Sequence, residues 1–253
     1  DGKNFSTIDY LQHHSVLREN VNDNLYSPLS LAMFCQASQI HFSYMGTGCI
    51  FTYDDEHTIE NNVKFTEEDR PNFFGSNYSV VKGFTDMLMK QTSALNFRIR
   101  MPITDEIHPR NFITKITNYK KICSISNSMT VLNDIIPLSI DMMKDELVGT
   151  YNMCNPGTIS HNEILQLYKE IVDGSFTWKN FTIEEQREIL DSDRSNNYLN
   201  TEKLSFYFPN IKNIKDSVKI MLQNWKKRDI IPKKNNFLSK TKNILVTGGC
   251  GFI

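Results

Sequence analysis

Tyr78 and Lys82 are four residues apart in a segment with helical character. That spacing puts a phenol and an ammonium on one helix face. An unperturbed phenol has a pKa of about 10. A neighbouring cation favours the phenolate and moves that value toward neutrality, which makes tyrosine a usable general acid/base. Taken alone, the same pair is also what an ordinary helix surface carries. Upstream, an apolar run ends in Gly46-Thr47-Gly48-Cys49-Ile50-Phe51. The carboxyl end of a strand is where open α/β sheets bind ligands, so Thr47 is placed to hydrogen-bond a carbonyl that Tyr78 protonates. Cys49 follows at the same strand end. A thiol titrates near 8.5 unperturbed, so a nearby cation would help it act as a thiolate; the alternative is a small buried hydrophobe.

These residues need elements to hold them. Ser6 can cap a helix beginning near Thr7, and one helical stretch is expected from Val16 to Ala37. His41–Met45 reads as a buried strand and Asn77–Lys90 as a helix. Leu95–Met101 reads as a strand with alternating Arg98 and Arg100, ended by Pro102. Helices are expected at 111–119, 131–145, 183–190, 201–208 and 214–227, and a strand at 150–154. Ser160 and Glu163 spell a capping box for a helix reaching about Val172. The alternation implies an α/β fold: a partial Rossmann-like, doubly wound parallel sheet with a smaller C-terminal substrate lobe.

Bulk properties narrow the function. An apolar fraction of 40% over 253 residues supports a sizeable core. A net charge of -1 argues against a nucleic-acid binder, and no apolar run is long enough for a membrane span. Five scattered cysteines without C-x-x-C argue against a zinc site or a disulfide framework. A reducing, cytoplasmic setting is the simpler expectation, with no metal.

Thr47, Tyr78 and Lys82 resemble the triad of extended short-chain dehydrogenases. Several longer stretches resemble one branch, the bifunctional 3,5-epimerase/4-reductases of nucleotide 4-keto-6-deoxyhexoses. They include Gly46–Phe51, Pro71-Asn72-Phe73, Gly75-Ser76, Arg98–Ile103, Pro109–Lys115, Asn127–Thr130, Ser160–Ile164 and Arg194–Asn197 with Lys203-Leu204. The likeness spans roughly residues 5 to 225. It implies an NAD(P)H-dependent reduction at carbon 4, with Tyr78 delivering the proton and Thr47 orienting the carbonyl. Lys82 would depress the Tyr78 pKa and hold the nicotinamide ribose. It also implies that Cys49 and Lys115 epimerise carbons 3 and 5, that Asn20 helps organise the site and that Pro102 lies against the cofactor. Asn72, Ser76, Arg110, Asn111, Asn127, Arg194 and Asn197 are the implied substrate contacts. Gly48 and Cys49 stand where 4,6-dehydratases carry an Asp-Glu pair, so dehydration is not expected here. A reductase without epimerase activity and a non-catalytic nucleotide-binding module remain as alternatives, and the resemblance leaves room for a homodimer.

The resemblance also divides the chain. Residues 1–228 correspond to the later two-thirds of an epimerase/reductase domain, which would be preceded by on the order of 70 residues carrying the first glycine-rich turn. Residues 229–242 read as a basic linker. Residues 243–253 read as a fresh strand entering Gly248-Gly249-Cys250-Gly251, the opening of a G-x-x-G-x-x-G cofactor turn in a second, dehydratase-like domain. Gly248 and Gly251 are cofactor-binding candidates, for NADP or NAD. A fused or partner 4,6-dehydratase would supply the keto-sugar.

Overall fold

A computed structural model of the chain describes residues 8–119, 121–182, 184–185, 188 and 193–228. The expected helix start at Ser6, most of the helix at 183–190, the linker and the glycine-rich tail lie outside the described residues. Helices α1 (Leu17–Val21) and α2 (Ser27–Ala37) lead into β1 (Ser43–Thr47), α3 (Asn77–Met89) and β2 (Leu95–Ile99). Then come β3 (Pro102–Ile103), α4 (Phe112–Thr117), β4 (Thr130–Val131), α5 (Leu132–Lys144) and β5 (Gly149–Asn152). Helices α6 (His161–Ile171), α7 (Glu202–Tyr207) and α8 (Ile214–Arg228) follow.

Strands β1, β2 and β5 form a parallel sheet in that order, with Thr47 opposite Ile99 and Leu95 opposite Gly149. Strand β2 shows why both faces are covered. Leu95, Phe97 and Ile99 point to one side and pack with Ile135, Met142, Tyr151 and Leu204. Asn96, Arg98 and Arg100 alternate onto the other side and are also buried, at 1%, 0% and 1% exposure. Buried charges need partners. Arg98 has one: its Nε and Nη2 donate to the two carboxylate oxygens of Asp86 on α3 at 2.9 and 2.6 Å. Asn96 Nδ2 also donates to Asp86, at 2.9 Å. Gly46 makes room for this, because a Cβ there would stand 2.2 Å from Asn96 Oδ1.

Two expectations are corrected. The stretch 16–37 is not one helix: a 3₁₀ turn (His14–Val16), α1, a π turn (Asn22–Tyr26) and α2 follow one another. Pro28 has no N–H for the carbonyl of Asn24, so the α pattern cannot run through. Thr85 Oγ1 donates to that carbonyl instead, at 2.5 Å. Pro102 does not simply end a strand either. β2 stops at Ile99, Met101 turns the chain at φ 40°, and Pro102 opens β3, which pairs with β4.

Past that turn a second core forms. Ile113 and Ile116 of α4, Ile164 and Leu165 of α6, and Val218, Leu222 and Trp225 of α8 pack with Ile103 and Val131. The capping box starts α6 as expected: Glu163 N donates to Ser160 Oγ at 3.2 Å and Ser160 N to Glu163 Oε2 at 2.8 Å. No helix of the described residues is long and apolar enough to cross a membrane, and no metal-binding cluster occurs among them.

Candidate active site

The site lies at the carboxyl end of β1. Thr47, its last residue, is 7% exposed and accepts a hydrogen bond from Cys49 N at 3.1 Å. That leaves its hydroxyl proton for Tyr78, to whose phenol it is hydrogen-bonded. Tyr78 enters from the first turn of α3, which Ser76 caps by accepting from Ser79 N at 3.0 Å. Its ring packs among Leu11, Val16, Tyr10 and Cys49. A hydroxyl, a phenol and a thiol therefore meet at one strand end.

Lys82 lies one turn along α3, but its ammonium reaches Tyr44 Oη and, at 3.3 Å, the carbonyl of Met45. It stacks over the Tyr44 ring at 4.4 Å from the centroid. Burial lowers Lys82 to about 8, against the opposing pull of Asp86 and Cys49. The expected depression of the Tyr78 pKa is not found. Burial pushes the phenol above its ordinary range, the Cys49 thiol adds to this, and the Thr47 hydrogen bond offsets only part of it. The reason is distance from solvent: a fully enclosed phenol loses more by ionising than one hydroxyl returns. Tyr78 is thus a protonated phenol, the form that can give a proton away.

Arg100, which the sequence reading left without a role, completes the floor. Its Nη1 donates to Cys49 Sγ at 3.3 Å and Ser195 Oγ at 3.1 Å; its Nη2 donates to Asn127 Oδ1 and the Ser195 carbonyl, both at 2.5 Å. The signal was present in the sequence as alternation: Arg100 is in step with Arg98, and a parallel sheet is covered on both faces.

Most of the expected substrate contacts have other duties. Asn72 clamps Thr52 through both backbone groups, at 2.8 and 2.9 Å, and donates to Asp54. Ser76 and Asn111 are helix caps, and Asn111 Nδ2 donates to the carbonyls of Thr104 and Glu106. Asn127 accepts from Arg100 and from Asn197 N, while Asn197 Nδ2 donates to the carbonyls of Gly48 and Phe51. The hydrogen-bonding groups of these five side chains are largely taken up by the protein. Arg110 is exposed and Arg194 half-buried. Lys115 sits half-buried on α4 in the second lobe, lowered from the ordinary lysine range first by burial and then by Arg110. Asn20 is 1% exposed, and its Nδ2 has no partner among the described residues. Pro102 is half-buried at the start of β3.

No family model matches the chain. Relatives do. Protein L780 of Acanthamoeba polyphaga mimivirus is 52% identical over 227 residues, 89% of this chain and 78% of that protein. Its crystal structure, described as that of a UDP-rhamnose synthase, superposes with a TM-score of 0.83 over 87% of this chain and 77% of that one. A bifunctional dTDP-4-dehydrorhamnose 3,5-epimerase/dTDP-4-dehydrorhamnose reductase of Arabidopsis thaliana is 43% identical over 88% of this chain and 74% of its own length. A trifunctional UDP-glucose 4,6-dehydratase/epimerase/reductase of the same plant is 43% identical over 83% of this chain, but only 32% of its own length is covered. A dTDP-4-dehydrorhamnose reductase structure from Clostridium acetobutylicum, at 15% identity and a TM-score of 0.70, shares the Rossmann-like fold. With half its residues identical across most of a relative's length, this chain belongs to the NAD(P)-dependent nucleotide-sugar 3,5-epimerase/4-reductase family.

Proposed function

We propose that the protein epimerises carbons 3 and 5 of a UDP- or dTDP-linked 4-keto-6-deoxyhexose and reduces its 4-keto group, giving a nucleotide-rhamnose. The observation that carries this reading is the meeting of Thr47, Tyr78 and Cys49 at the end of β1. The residues at that end suit a nicotinamide. An ammonium has three donors, and Lys82 commits two of them, to Tyr44 and Met45, leaving one for a ribose hydroxyl. Asn20 Nδ2 is a second buried donor, without a partner among the described residues. Lys82 and Asn20 would hold the nicotinamide end of the cofactor, which would supply hydride-transfer chemistry when bound.

The chain's own residues handle the protons. Thr47 donates to the 4-oxygen and polarises the ketone. Tyr78, held as a neutral phenol, gives its proton to the alkoxide that forms there. For epimerisation, the Cys49 thiolate takes a ring proton while the electron pair moves onto the 4-oxygen. Lys115 returns a proton on the opposite face, helped by a burial that makes its ammonium a readier acid. Arg110 and Arg194 offer charge to the diphosphate. Residues 243–253 read as the opening of a second, dehydratase-like domain. Supporting that reading are the strand-then-glycine pattern and the trifunctional relatives, which join a 4,6-dehydratase to this activity in one chain.

The test supplies UDP- and dTDP-4-keto-6-deoxyglucose with NADPH or NADH in heavy water. Tyr78→Phe lowers the reduction rate by about 10²–10⁴-fold while nucleotide-sugar binding persists. Cys49→Ala abolishes deuterium uptake at carbons 3 and 5 but leaves reduction of the already epimerised sugar within a few-fold. Unchanged reduction in Tyr78→Phe overturns the reductase assignment. Absence of exchange in the unsubstituted protein points to a reductase alone.

A further inference from the structure

Two arginines sit two residues apart on the same buried face of the β2 segment, and only one has a counter-ion. Arg98 is neutralised by the two-point bond to Asp86. Arg100 is 1% exposed, yet among the described residues no carboxylate pairs with it. Its acceptors among the described residues are all formally neutral: Ser195 Oγ, the Ser195 carbonyl, Asn127 Oδ1 and Cys49 Sγ. Its Nε is buried with no hydrogen-bond partner among the described residues. The unbalanced charge is felt around it, pulling the Tyr53 phenol, the Cys154 thiol and the His161 imidazole each toward lower values. An arginine cannot shed its proton in response to burial. Its positive charge therefore has to be met by an anion brought to it or made beside it.

Of the four acceptors, only the sulfur can become an anion near neutrality. We propose that Arg100 is the positioning residue that holds Cys49 as a thiolate, forming a buried guanidinium–thiolate pair that readies the base for ring-proton abstraction. This rests on the reading of Cys49 as the epimerising base. The other titratable groups facing Cys49 are the Tyr78 phenol and Lys82 on α3, and the Cys154 thiol beyond β5. Tyr78 and Cys154 are held in their protonated forms by burial, so neither competes for the negative charge. The Lys82 ammonium is directed to Tyr44 and Met45. Arg100 is the cation in contact with the sulfur, and the Asn127 and Ser195 bonds fix its plane so that Nη1 faces Sγ.

When Cys49 takes the ring proton, the S–H bond forms as the C–H bond breaks and the electron pair passes to the 4-oxygen of the sugar. Charge leaves the sulfur and Arg100 stays protonated throughout, so it acts through Cys49 and never on the sugar itself.

The experiment is iodoacetamide alkylation of the protein without nucleotide-sugar, followed by mass spectrometry of the peptides bearing Cys49 and Cys35. Each rate at about pH 6.5 is divided by the rate of the same site at about pH 10, which cancels accessibility, because the thiolate is the reacting form. The expected ratio for Cys49 is at least about tenfold higher than for Cys35, which is half-buried too but has no arginine hydrogen-bonded to its sulfur among the described residues. Arg100→Met brings the Cys49 ratio down to that of Cys35, and Arg100→Lys, which keeps the charge, restores part of it. In heavy water, Arg100→Met slows exchange at carbon 5 at least about tenfold near pH 7 and recovers toward pH 9.5, where an unaided thiol ionises. Equal ratios for Cys49 and Cys35 in the unsubstituted protein overturn the proposal, even if Arg100→Met does not fold. So does a Cys49 ratio unchanged by a folded Arg100→Met. Normal exchange in Cys49→Ala, alongside a high Cys49 ratio, overturns the base assignment and leaves the pair standing.

Discussion

At the scale of single residues, the same burial that keeps Tyr78 protonated also loads other groups. His161 opens α6, with its Nδ1 shut off from solvent and lacking a partner among the described residues. Its ring is bonded to the Ile125 backbone and packs edge-on against Phe112. Burial lowers it to about 4, and the Arg100 cation adds to that. The folded state therefore binds fewer protons than the unfolded chain between pH 6.5 and 4. Stability is complete above that window and falls as the pH drops through it, by at most roughly 3 kcal/mol from this group. Urea titrations from pH 7 to 4 should show this slope, and His161→Phe should flatten it; an unchanged slope would remove His161 as its source. The imidazole was not singled out in the sequence, where it appeared only inside a matched segment. Nothing in its neighbours along the chain predicts the enclosure.

At the scale of elements, β2 carries the most consequence. Its alternation was readable, and so was the presence of Arg98 and Arg100 on one face, but which of them would find a carboxylate was not. Asp86 lies on α3, on the same side of the sheet as that face. Asp86→Ala should cost about 3–5 kcal/mol, because it leaves Arg98 charged and unpaired in the interior. Adding Arg98→Met should return much of that loss. Equilibrium denaturation of both variants decides it, and a loss under about 1 kcal/mol for Asp86→Ala would show that water reaches the arginine. The helix at 160–172 was legible for the opposite reason. Its start is written in a local exchange between Ser160 and Glu163, three residues apart. The interruption at 22–26 was half legible: Pro28 removes the donor that the Asn24 carbonyl needs, but the replacement donor, Thr85, is 61 residues away.

At the scale of the molecule, two cores meet along the segment that follows β2. One is packed on the sheet around Phe97 and Met142, and the other gathers α4, α6 and α8 around Ile164 and Leu222. Arg100, Asn127, Ser195 and Asn197 form the polar seam beside the site. Trp225 anchors the second core, 4% exposed, with its ring edge-on to Tyr168 at 6.2 Å. Trp225→Ala should destabilise the protein by about 3–5 kcal/mol, read by urea denaturation followed by circular dichroism, and Trp225→Phe should recover most of it. A loss under about 1 kcal/mol would mean that α8 contributes little to that core.

Thr47, Cys49, Tyr78 and Lys82 could be nominated from the sequence alone, since they lie in short local patterns on a helix face and at a strand end and in segments that resemble the family. The α6 cap was legible for the same reason, because it depends on two residues three apart, and a parallel sheet was implied by the alternation of strands and helices. Protonation was decided only by the tertiary structure. Whether Tyr78 is an acid or a phenolate, where the Lys82 ammonium turns, and that Arg100 touches the Cys49 sulfur all follow from desolvation and from partners brought in from distant segments. A charge or a proton responds to everything within a few ångströms, and only the folded chain determines what that is.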